Sequence, residues 1–369
     1  MSEVLDNIVN CDIAIESPVE DSASFDTIMI IGDRPLDGAK DLKGIDRYVS
    51  LAEVADAGWK EEDAIYKAAR AAFLQEHKPE FIYIAVRQQA ALETPDGEDE
   101  TVGAAVKDKE RLLNPEKFLE TVKRAIGQAG WYGLALAGAE DTDISEVAGL
   151  IESTERLFAF STREKKNPLL GKDYMRTFGV YSESADEYAH VAWLAEGFSY
   201  DPGSETWAYK TLRGVTASGL STREMRDLEE ECLNYYIPCA GRNITRNGRT
   251  VGGEWIDVIR FRDWLKNRMQ IRVFELFVAN PKIPYLDTGI TLVENQMRAA
   301  LQEGQKAGGV AETEFDVNGK PIEGYTVTVP RAASLSSAQR ASRTLRDCKF
   351  TARLAGAIHI AELKGNLTY

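Results

Sequence analysis

Apolar residues in the first half of the chain occur in short continuous runs, and segments with helical spacing separate these runs. A run of this kind predicts a strand that is buried on both faces, and helices between consecutive runs predict parallel strands. From residue 25 to about 184 the pattern therefore predicts a three-layer α/β domain with a mostly parallel sheet. The predicted strands are 28–31, 81–86, 131–137 and 157–161, and the predicted helices are 64–73, 118–129 and 145–153.

Longer helical patterns dominate the second half of the chain, which indicates an α+β domain. Apolar residues keep helical spacing over 254–277 and again over 287–303. Pro281 and Pro284 follow the first of these helices and end it, because proline lacks the backbone N–H that a helix interior needs. Near the C-terminus, residues 334–347 predict one more helix.

Turn and cap signals divide this second half into elements. Asn-Gly pairs at Asn247 and Asn318 predict two β-hairpins, since both residue types tolerate the positive φ angles of tight hairpin turns. Ser221 and Glu224 predict a capping box at the start of a helix, and Leu220 is its expected hydrophobic staple.

Both ends of the chain predict strands. Residues 8–15 carry apolar side chains at alternate positions, and a polar, proline-broken segment separates them from the α/β domain. Residues 349–363 alternate in a similar way, and Gly356 predicts a bend or bulge. A lone strand must pair with a sheet edge, either in its own chain or in a neighbouring copy. The predicted organisation is an arm at 1–23, an outer α/β domain at 24–190, a second domain at 191–348, and a C-terminal strand and arm at 349–369.

The charge of the chain argues against one class of partner. The net charge is −15, and an acidic surface lacks the basic patches with which proteins bind nucleic acid. The charge is also unevenly placed, because residues 331–369 contain seven Lys or Arg and only two Asp or Glu. On the predicted helix 334–347, Arg340, Arg343 and Arg346 recur at every third position.

Cysteines and terminal signals favour a protein that is neither exported by a signal peptide nor held in a membrane. The four cysteines, at 11, 232, 239 and 348, form no Cys-x-x-Cys pair and predict reduced thiols. The first residues lack the basic and apolar regions of a signal peptide. No stretch reaches the ~18 apolar residues of a membrane span.

A parallel α/β sheet often binds nucleotides at the carboxyl ends of its strands, which keeps an enzyme open as an alternative. The loop after the first strand has one glycine, Gly32, where a dinucleotide-binding loop needs three, and the P-loop motif does not occur. Asp141 and Asp143 could hold Mg²⁺, but acidic residues at this place more simply cap a helix. The three histidines, each more simply structural than catalytic, are His77, His190 and His359.

Several motifs rich in glycine and aromatic residues lie between residue 197 and the C-terminus, and none contains an evident catalytic group. In chain order they are Pro-Gly-Ser at 202–204, Trp207 and Lys210 before Leu-x-Gly-Val at 212–215, Asn-Tyr-Tyr at 234–236, Gly-x-Trp-Ile-Asp-x-Ile-Arg-x-x-Asp-Trp-Leu at 253–265, Lys-Ile-Pro-Tyr at 282–285, Thr-Gly-Ile at 288–290 and Arg-Leu-Ala-Gly-Ala-Ile-His at 353–359.

The order of these motifs resembles the conserved half of the contractile tail sheath proteins of bacteriophages and related injection devices. The resemblance implies a structural subunit that stacks as hexameric rings around a tail tube and contracts to drive the tube through a host envelope. It implies no enzyme activity and no cofactor. The implied partners are further copies of the chain, the tube protein, and baseplate and tail terminator proteins, in a virion tail that is assembled in the host cytoplasm. Two alternatives are another structural protein of such a particle, from the tube or baseplate, and an α/β enzyme with a degenerate nucleotide site.

In this family, neighbouring subunits exchange terminal strands into each other's sheets, which is β-augmentation. The resemblance thus implies an outer α/β domain, a conserved C-terminal α+β sheath domain, and strand-like arms that link copies. It also makes the tube the expected partner of Arg340, Arg343 and Arg346. The residues expected to take part in strand exchange are Ile8, Val9, Cys11, Ile13, Ile15, Phe350, Ala352, Leu354, Ile358 and Ile360.

Overall fold

An eight-stranded sheet lies at the centre of the structure, and its strands come from both halves of the sequence. The computed structural model describes residues 24–34, 44–88, 116–128 and 130–366. In chain order the strands of this sheet are β1 (Ile28–Gly32), β2 (Ile45–Tyr48), β3 (Ile82–Val86), β4 (Gly133–Leu136), β5 (Leu157–Thr162), β6 (Thr177–Tyr181), β7 (Leu233–Cys239) and β8 (Arg242–Arg246).

The sheet is parallel in its interior and antiparallel at both edges. Its strand order is β2-β3-β1-β4-β5-β6-β7-β8. Parallel pairing runs from β3 through β1, β4, β5 and β6 to β7. The outer strands β2 and β8 pair antiparallel with β3 and β7. The predicted α/β architecture with a mostly parallel sheet is therefore confirmed.

Two layers of helices cover the sheet. Along β1, Ile28 and Ile30 belong to one core cluster and Met29 and Ile31 to another, as the alternation of side chains in a strand requires. The first cluster includes residues of α1, α2 and α5, and the second includes residues of α3 and α4. The helices before residue 250 are α1 (Leu51–Asp56), α2 (Ala64–Phe73), α3 (Phe118–Ile126), α4 (Asp141–Ile151), α5 (Ala189–Phe198) and α6 (Thr222–Glu230).

The sheet extends beyond the domain boundary that the sequence suggested at 190/191. Strand β7 pairs in parallel with β6, and β8 completes the edge. Tyr235 and Tyr236 of the Asn-Tyr-Tyr motif are buried, so this motif is a strand of the α/β core. The difference arises because a seven-residue strand with an asparagine, two tyrosines and a proline carries a weaker apolar signal than the isoleucine-rich strands β1 and β3.

A long helix joins the sheet to a second, smaller core. Helix α7 (Ile256–Ala279) has 24 residues and is therefore about 36 Å long. Its first turn contributes Ile256 and Ile259 to the cluster beneath the sheet. Phe261, Leu265 and Met269 of α7 belong to a separate cluster with α8 (Asp287–Ala307).

Short elements complete the C-terminal part. Strands β9 (Glu314–Phe315) and β10 (Pro321–Ile322) form a hairpin around Asn318, as predicted. They are followed by β11 (Tyr325–Thr328), the short helix α9 (Ser337–Ala341) and β12 (Lys349–Ala352).

The hairpin predicted at Asn247 is wrong. Strand β8 ends one residue earlier, and the turn between β7 and β8 lies at Ala240 and Gly241, which both have positive φ angles. The side-chain oxygen of Asn234 accepts hydrogen bonds from the backbone N–H groups of Gly248 and Arg249, each at 2.8 Å. These bonds direct the chain away from the sheet, so the Asn-Gly pair makes a turn without a second strand.

The predicted capping box at Ser221 is present, and the acidic residues predicted to cap α4 lie in its first turn, after the N-cap residue Glu140. The Ser221 hydroxyl accepts the N–H of Glu224 at 3.3 Å, and the Glu224 carboxylate accepts the N–H of Ser221 at 2.8 Å. Helix α4 begins at Asp141, and the Asp143 carboxylate accepts the N–H of Glu140 at 3.1 Å. In the described residues, no group of three or more His, Cys, Asp or Glu side chains could hold a metal ion.

Candidate assembly interface

Strands β11 and β12 form an antiparallel pair that is separate from the central sheet. The register places Tyr325 opposite Ala352 and Thr328 opposite Lys349. Because the pair has two strands, each strand has one edge that no other strand of the described chain covers. Such an edge presents unpaired N–H and C=O groups that can bind a further strand.

The two faces of this pair differ in chemistry. The inner face is apolar and packs on the cluster that α7 and α8 form, which fixes the orientation of the strands. The outer face is polar and exposed. The inner residues are Tyr325, Val327, Phe350 and Ala352, and the outer residues are Thr326, Thr328, Lys349 and Thr351.

Backbone hydrogen bonds tie the chain after β12 to its own subunit as far as Ala355. The N–H of Arg353 donates to the carbonyl oxygen of Gly324 at 2.8 Å, and the carbonyl oxygen of Arg353 accepts the N–H of Ala311 at 2.7 Å. Leu354 forms an isolated antiparallel bridge with Val310. Gly356 then turns the chain with a φ of 67°, which is the bend expected from the sequence.

The strand predicted over 349–363 is therefore shorter than expected. Its paired part is Lys349–Ala352, and the segment beyond Gly356 has no strand partner in the described part of the chain. We call residues 357–366 the tail. Ile358, Ile360 and Leu363 of the tail are 88%, 76% and 93% exposed. An extended segment needs a neighbouring strand to satisfy its backbone, so this apolar segment is suited to pair with the sheet edge of another molecule.

The residues expected to exchange fall into three groups. Phe350 and Ala352 lie in β12, and Leu354 lies at the bridge to Val310. Ile358 and Ile360 lie in the tail. The N-terminal group lies outside the described residues and consists of Ile8, Val9, Cys11, Ile13 and Ile15.

The helix predicted over 334–347 is wrong in its length. Helix α9 covers Ser337–Ala341 and begins with a capping box between Ser336 and Gln339. Arg343 has a positive φ of 55°, a conformation that ends a helix. Four serines and a threonine within 334–344 compete for backbone hydrogen bonds, which explains the early end.

The predicted tube-facing residues, Arg340, Arg343 and Arg346, are exposed, but they do not share one helix face. We call these three residues the basic segment. The Arg340 guanidinium donates to the carbonyl oxygen of Ala332. Within the described chain, no carboxylate lies within salt-bridge distance of Arg343 or Arg346, so the two charges face solvent.

The segment 332–346 lies on the end of the α7–α8 pair. The Tyr285 hydroxyl donates to the carbonyl oxygen of Thr344 at 2.7 Å, and Leu345 packs with Val273 and Val293. Exposed apolar side chains occur at the same end of the helix pair, and Val278 is 70% exposed. The basic segment therefore borders an apolar surface whose members are Phe277, Val278, Leu286 and Leu292.

Positive charge concentrates in this part of the chain. Residues 256–366 contain sixteen Lys or Arg against twelve Asp or Glu, whereas the whole chain contains 44 against 59. The remainder is correspondingly acidic. A basic C-terminal part on an acidic protein attracts negatively charged partners and repels other cationic surfaces.

Several basic side chains of α7 form salt bridges with carboxylates of the same chain. Arg260 is fully buried and its guanidinium lies 2.6 Å from the carboxylate of Glu205. Lys266 lies 2.7 Å from Glu155, and Arg268 and Arg272 both pair with Glu303.

A buried network beneath the sheet has no sequence signal. Arg176 donates to both carboxylate oxygens of Asp263, at 2.6 and 3.0 Å, and the Tyr132 hydroxyl donates to the same carboxylate at 2.7 Å. Burial and the charge of Asp263 raise the pKa of Tyr132 well above its usual range. Asp263 is 131 residues from Tyr132 and 87 residues from Arg176, so the sequence does not indicate that the three side chains meet.

The structure places His190 in the core and His77 at the surface. His190 lies in the core with its Nδ1 2.7 Å from the Ser161 hydroxyl, and burial lowers the pKa of His190 to about 3. The Nε2 of this ring has no hydrogen-bond partner among the described atoms. His77 lies at the surface, 3.7 Å from Glu196. Among the described helices, none has the length and apolar character that crossing a bilayer requires.

A protein-family model matches the C-terminal part of the chain. Residues 256–367 match the family model described as E217 tail sheath protein gp31-like, C-terminal domain. This range begins with α7 and includes the β11–β12 pair, the basic segment and the tail. No curated protein sequence matches the chain.

Solved structures match over nearly the full length. A chain of the 6-fold symmetrised baseplate of the anti-feeding prophage is 13% identical, covers 97% of this chain and 99% of its own, and has a TM-score of 0.66. A chain of the contracted helical sheath of the same particle is 12% identical, and the match covers 97% of this chain and 99% of the sheath chain with a TM-score of 0.66. A chain of the contracted sheath complex of the extracellular contractile injection system PVC is 12% identical, and the match covers 97% of this chain and 98% of the PVC chain with a TM-score of 0.61. At these identities the likeness establishes the fold, and with the family match it confirms the resemblance to contractile tail sheath proteins.

Proposed function

We propose that this chain, which has the fold of contractile sheath proteins and the C-terminal domain of the tail sheath family, is the structural subunit of a contractile sheath. Its copies stack as hexameric rings around a tail tube, and contraction of the sheath drives the tube through a host envelope. The single observation that carries the proposal is the open β11–β12 pair next to an extended apolar tail, within the domain that matches the family.

Strand addition explains how the copies join. The β11–β12 pair has two uncovered edges, and the tail has the alternating apolar residues and unpaired backbone that a third strand requires. A two-stranded sheet is only marginally stable alone, so a strand from a neighbour stabilises both partners. The N-terminal residues 8–15 supply a further strand to the same kind of edge. The chain is in this way a homo-oligomer whose links are backbone hydrogen bonds.

The tail tube is the partner of the basic segment. Exposed cations at the end of the α7–α8 pair suit a releasable contact, because exposed ion pairs contribute about 0.2–1 kcal/mol each and are screened by salt. Many such pairs set the register of sheath on tube and still separate when the sheath widens. Baseplate and terminator proteins contact the two ends of the sheath. The assembled protein belongs to a virion tail or injection particle that forms in the host cytoplasm.

Contraction needs neither catalysis nor a cofactor in this proposal. The free energy lies in the difference between two packings of the same subunits, and modest changes at each interface add along the polymer. Each subunit moves as a unit because α7 enters both cores and buried ion pairs hold it in place. The tail bends between subunits while its hydrogen bonds persist.

Negative-stain microscopy of the purified chain tests the proposal. The full chain should form hollow striated cylinders at increasing concentration. A chain that lacks residues 357–369 should remain folded with the same melting temperature, since the described tail buries little surface, but should form no cylinders. A chain that lacks residues 1–20 should behave likewise. A full chain that stays monomeric under all assembly conditions would contradict a sheath and favour an enzyme or another particle component.

A further inference from the structure

One residue of the tail is held against the body of the subunit. From Leu354 to Asn366, every residue is exposed except His359, which is half-buried. The His359 ring meets the Trp255 ring edge-on, with 4.6 Å between centroids. Its Nε2 lies 2.7 Å from the Thr206 hydroxyl, and its backbone carbonyl accepts a hydrogen bond from the Tyr209 hydroxyl. We call this contact the His359 anchor.

The residues that receive His359 are held by contacts with the body of the subunit. Trp255 is the residue before α7, and its ring also lies 4.4 Å from the Arg249 guanidinium. Tyr209 is fixed to strand β8 because its N–H donates to the carbonyl oxygen of Thr245 at 2.8 Å. The residue next to Thr206 is Trp207, which is fully buried in the core. The anchor therefore connects the tail to the α/β core and to the start of α7.

The surroundings of the anchor favour the neutral form of the imidazole. Burial and the charges of Arg246 and Arg249 lower the pKa of His359 below its ordinary value. A neutral ring can accept a hydrogen bond from a hydroxyl or donate one to it, and it can pack edge-on against an indole without the cost of burying a charge.

The anchor also determines which side chains of the tail point outward. Successive side chains of an extended segment point to opposite sides. With His359 directed at Trp255, Ile358 and Ile360 are directed away from the subunit, in agreement with their exposed fractions of 88% and 76%. Two adjacent exposed isoleucines on a fixed backbone form a small apolar surface that faces other molecules.

We propose that the His359 anchor positions the tail for donation, so that Ile358 and Ile360 of one copy are presented to a second copy of this chain. The inference rests on the proposed sheath function and adds to it the residue at which the exchanged strand is fixed to its donor. Bending between subunits then occurs beyond residue 359, while the part before it moves with the donor. A fixed tail loses less conformational entropy on binding than a free one, which favours assembly.

Two substitutions of His359 test the proposal in the full chain. His359→Ala removes the ring contact and the bond to Thr206, and the concentration needed for cylinder formation should rise about tenfold, because the freed tail must lose the conformational freedom of about one residue on binding. His359→Phe keeps the ring on Trp255 and should raise that concentration less. Circular dichroism and the melting temperature of both variants should match the parent, because the anchor lies at the surface.

A control and a direct readout distinguish positioning from a general loss of apolar surface. Val317→Ala alters a fully exposed residue at the tip of the β9–β10 hairpin and should leave the assembly concentration unchanged. In the unassembled chain, backbone order parameters of residues 358–360 from ¹⁵N relaxation should be lower in His359→Ala than in the parent.

The outcomes separate the anchor from the sheath proposal. Absence of cylinders from the parent chain would contradict the sheath function itself. Cylinders from the parent with the same threshold in His359→Ala would overturn the anchor alone. A lower threshold in His359→Ala would also overturn it, because the contact would then hold the tail back from exchange.

Discussion

Removing the negative charge of Asp263 should destabilise the subunit strongly. Asp263 is almost fully buried, with a side chain 3% exposed, and its partner Arg176 is 1% exposed. Asp263→Asn keeps the shape of the side chain but leaves the Arg176 guanidinium without its counter-ion in a place that water does not reach. Breaking a buried pair from one side costs about 3–5 kcal/mol, so the free energy of unfolding should fall by about that amount.

Urea unfolding of the full chain below its assembly concentration, followed by tryptophan fluorescence, measures this change. Arg262 provides a matched control, because it also donates to Asp263, at 3.3 Å, but its side chain is 26% exposed. Arg262→Ala should lower the free energy of unfolding by no more than about 1 kcal/mol. The triple variant Asp263→Leu, Arg176→Met and Tyr132→Phe should recover most of the loss, since it removes every member of the buried network together.

If the free energy of unfolding of Asp263→Asn lies within about 1 kcal/mol of the parent value, this reasoning is refuted. That result would mean that water or another group compensates the charge of Arg176. The same experiment bears on function. Asp263 lies on α7, the helix that enters both cores, so a weakened network should also speed amide exchange in the first turns of α7.

Three further predictions concern the C-terminal strands, the start of α7 and the basic segment. A Cβ on Gly324 would lie 1.8 Å from the carbonyl oxygen of Ala311. Gly324→Ala should therefore lower the free energy of unfolding by about 1–3 kcal/mol and reduce the yield of cylinders. As a control, Gly219→Ala, whose Cβ would have no atom within 4 Å, should change the free energy of unfolding by less than about 0.5 kcal/mol. Burial and, to a smaller extent, the charge of Glu205 raise the pKa of Asp257 from 3.8 to about 6. The protonated side chain therefore stabilises the folded chain fully below pH 4, and this contribution is lost as the pH rises through 6. Asp257→Asn should remove that dependence in urea titrations at several pH values, and an unchanged pH profile would contradict the assignment. Replacing all three arginines of the basic segment by Glu should leave polymerisation of the chain without tubes nearly unchanged. In a pelleting assay the same variant should fail to co-assemble on tubes. Normal loading of tubes would show that the segment faces another partner.

The sequence predicts the central layers well because the signal there is local. Continuous apolar runs such as 28–31 and 81–86 are buried parallel strands, and the fold class follows from them. Helix α7 was predicted over 254–277 and observed over Ile256–Ala279. The capping box at Ser221 is also a short-range pattern, and it is present.

Elements that depend on distant contacts were harder to predict. The Asn-Gly pair at Asn247 is a hairpin signal by its residues alone, but Asn234 captures the backbone N–H groups of the turn. The helix predicted over 334–347 followed the spacing of its arginines, whereas its serines end it at Ala341. Periodicity cannot distinguish a helix from a chain segment that is held by Tyr285 and by packing on α7 and α8.

The candidate interface was predictable in position and less so in detail. Alternating residues near the C-terminus indicated a strand, and β12 with the tail lies there. The sequence could not separate the part that pairs within the subunit from the part that stays open, because this depends on the bridge to Val310 and the bend at Gly356. The role of His359 as a surface contact was also hidden, since Trp255 is 104 residues away.

Helical reconstruction of assembled cylinders by cryo-electron microscopy tests the central claim most directly, because it traces each chain from one subunit to the next. The account predicts that β11 and β12 of one copy carry an additional strand from the terminal segments of a neighbour, and that His359 of each donor remains on its own Trp255. Cylinders in which the β11–β12 pair keeps both edges uncovered, or in which every tail stays on its own subunit, would contradict the claim that strand exchange builds the sheath.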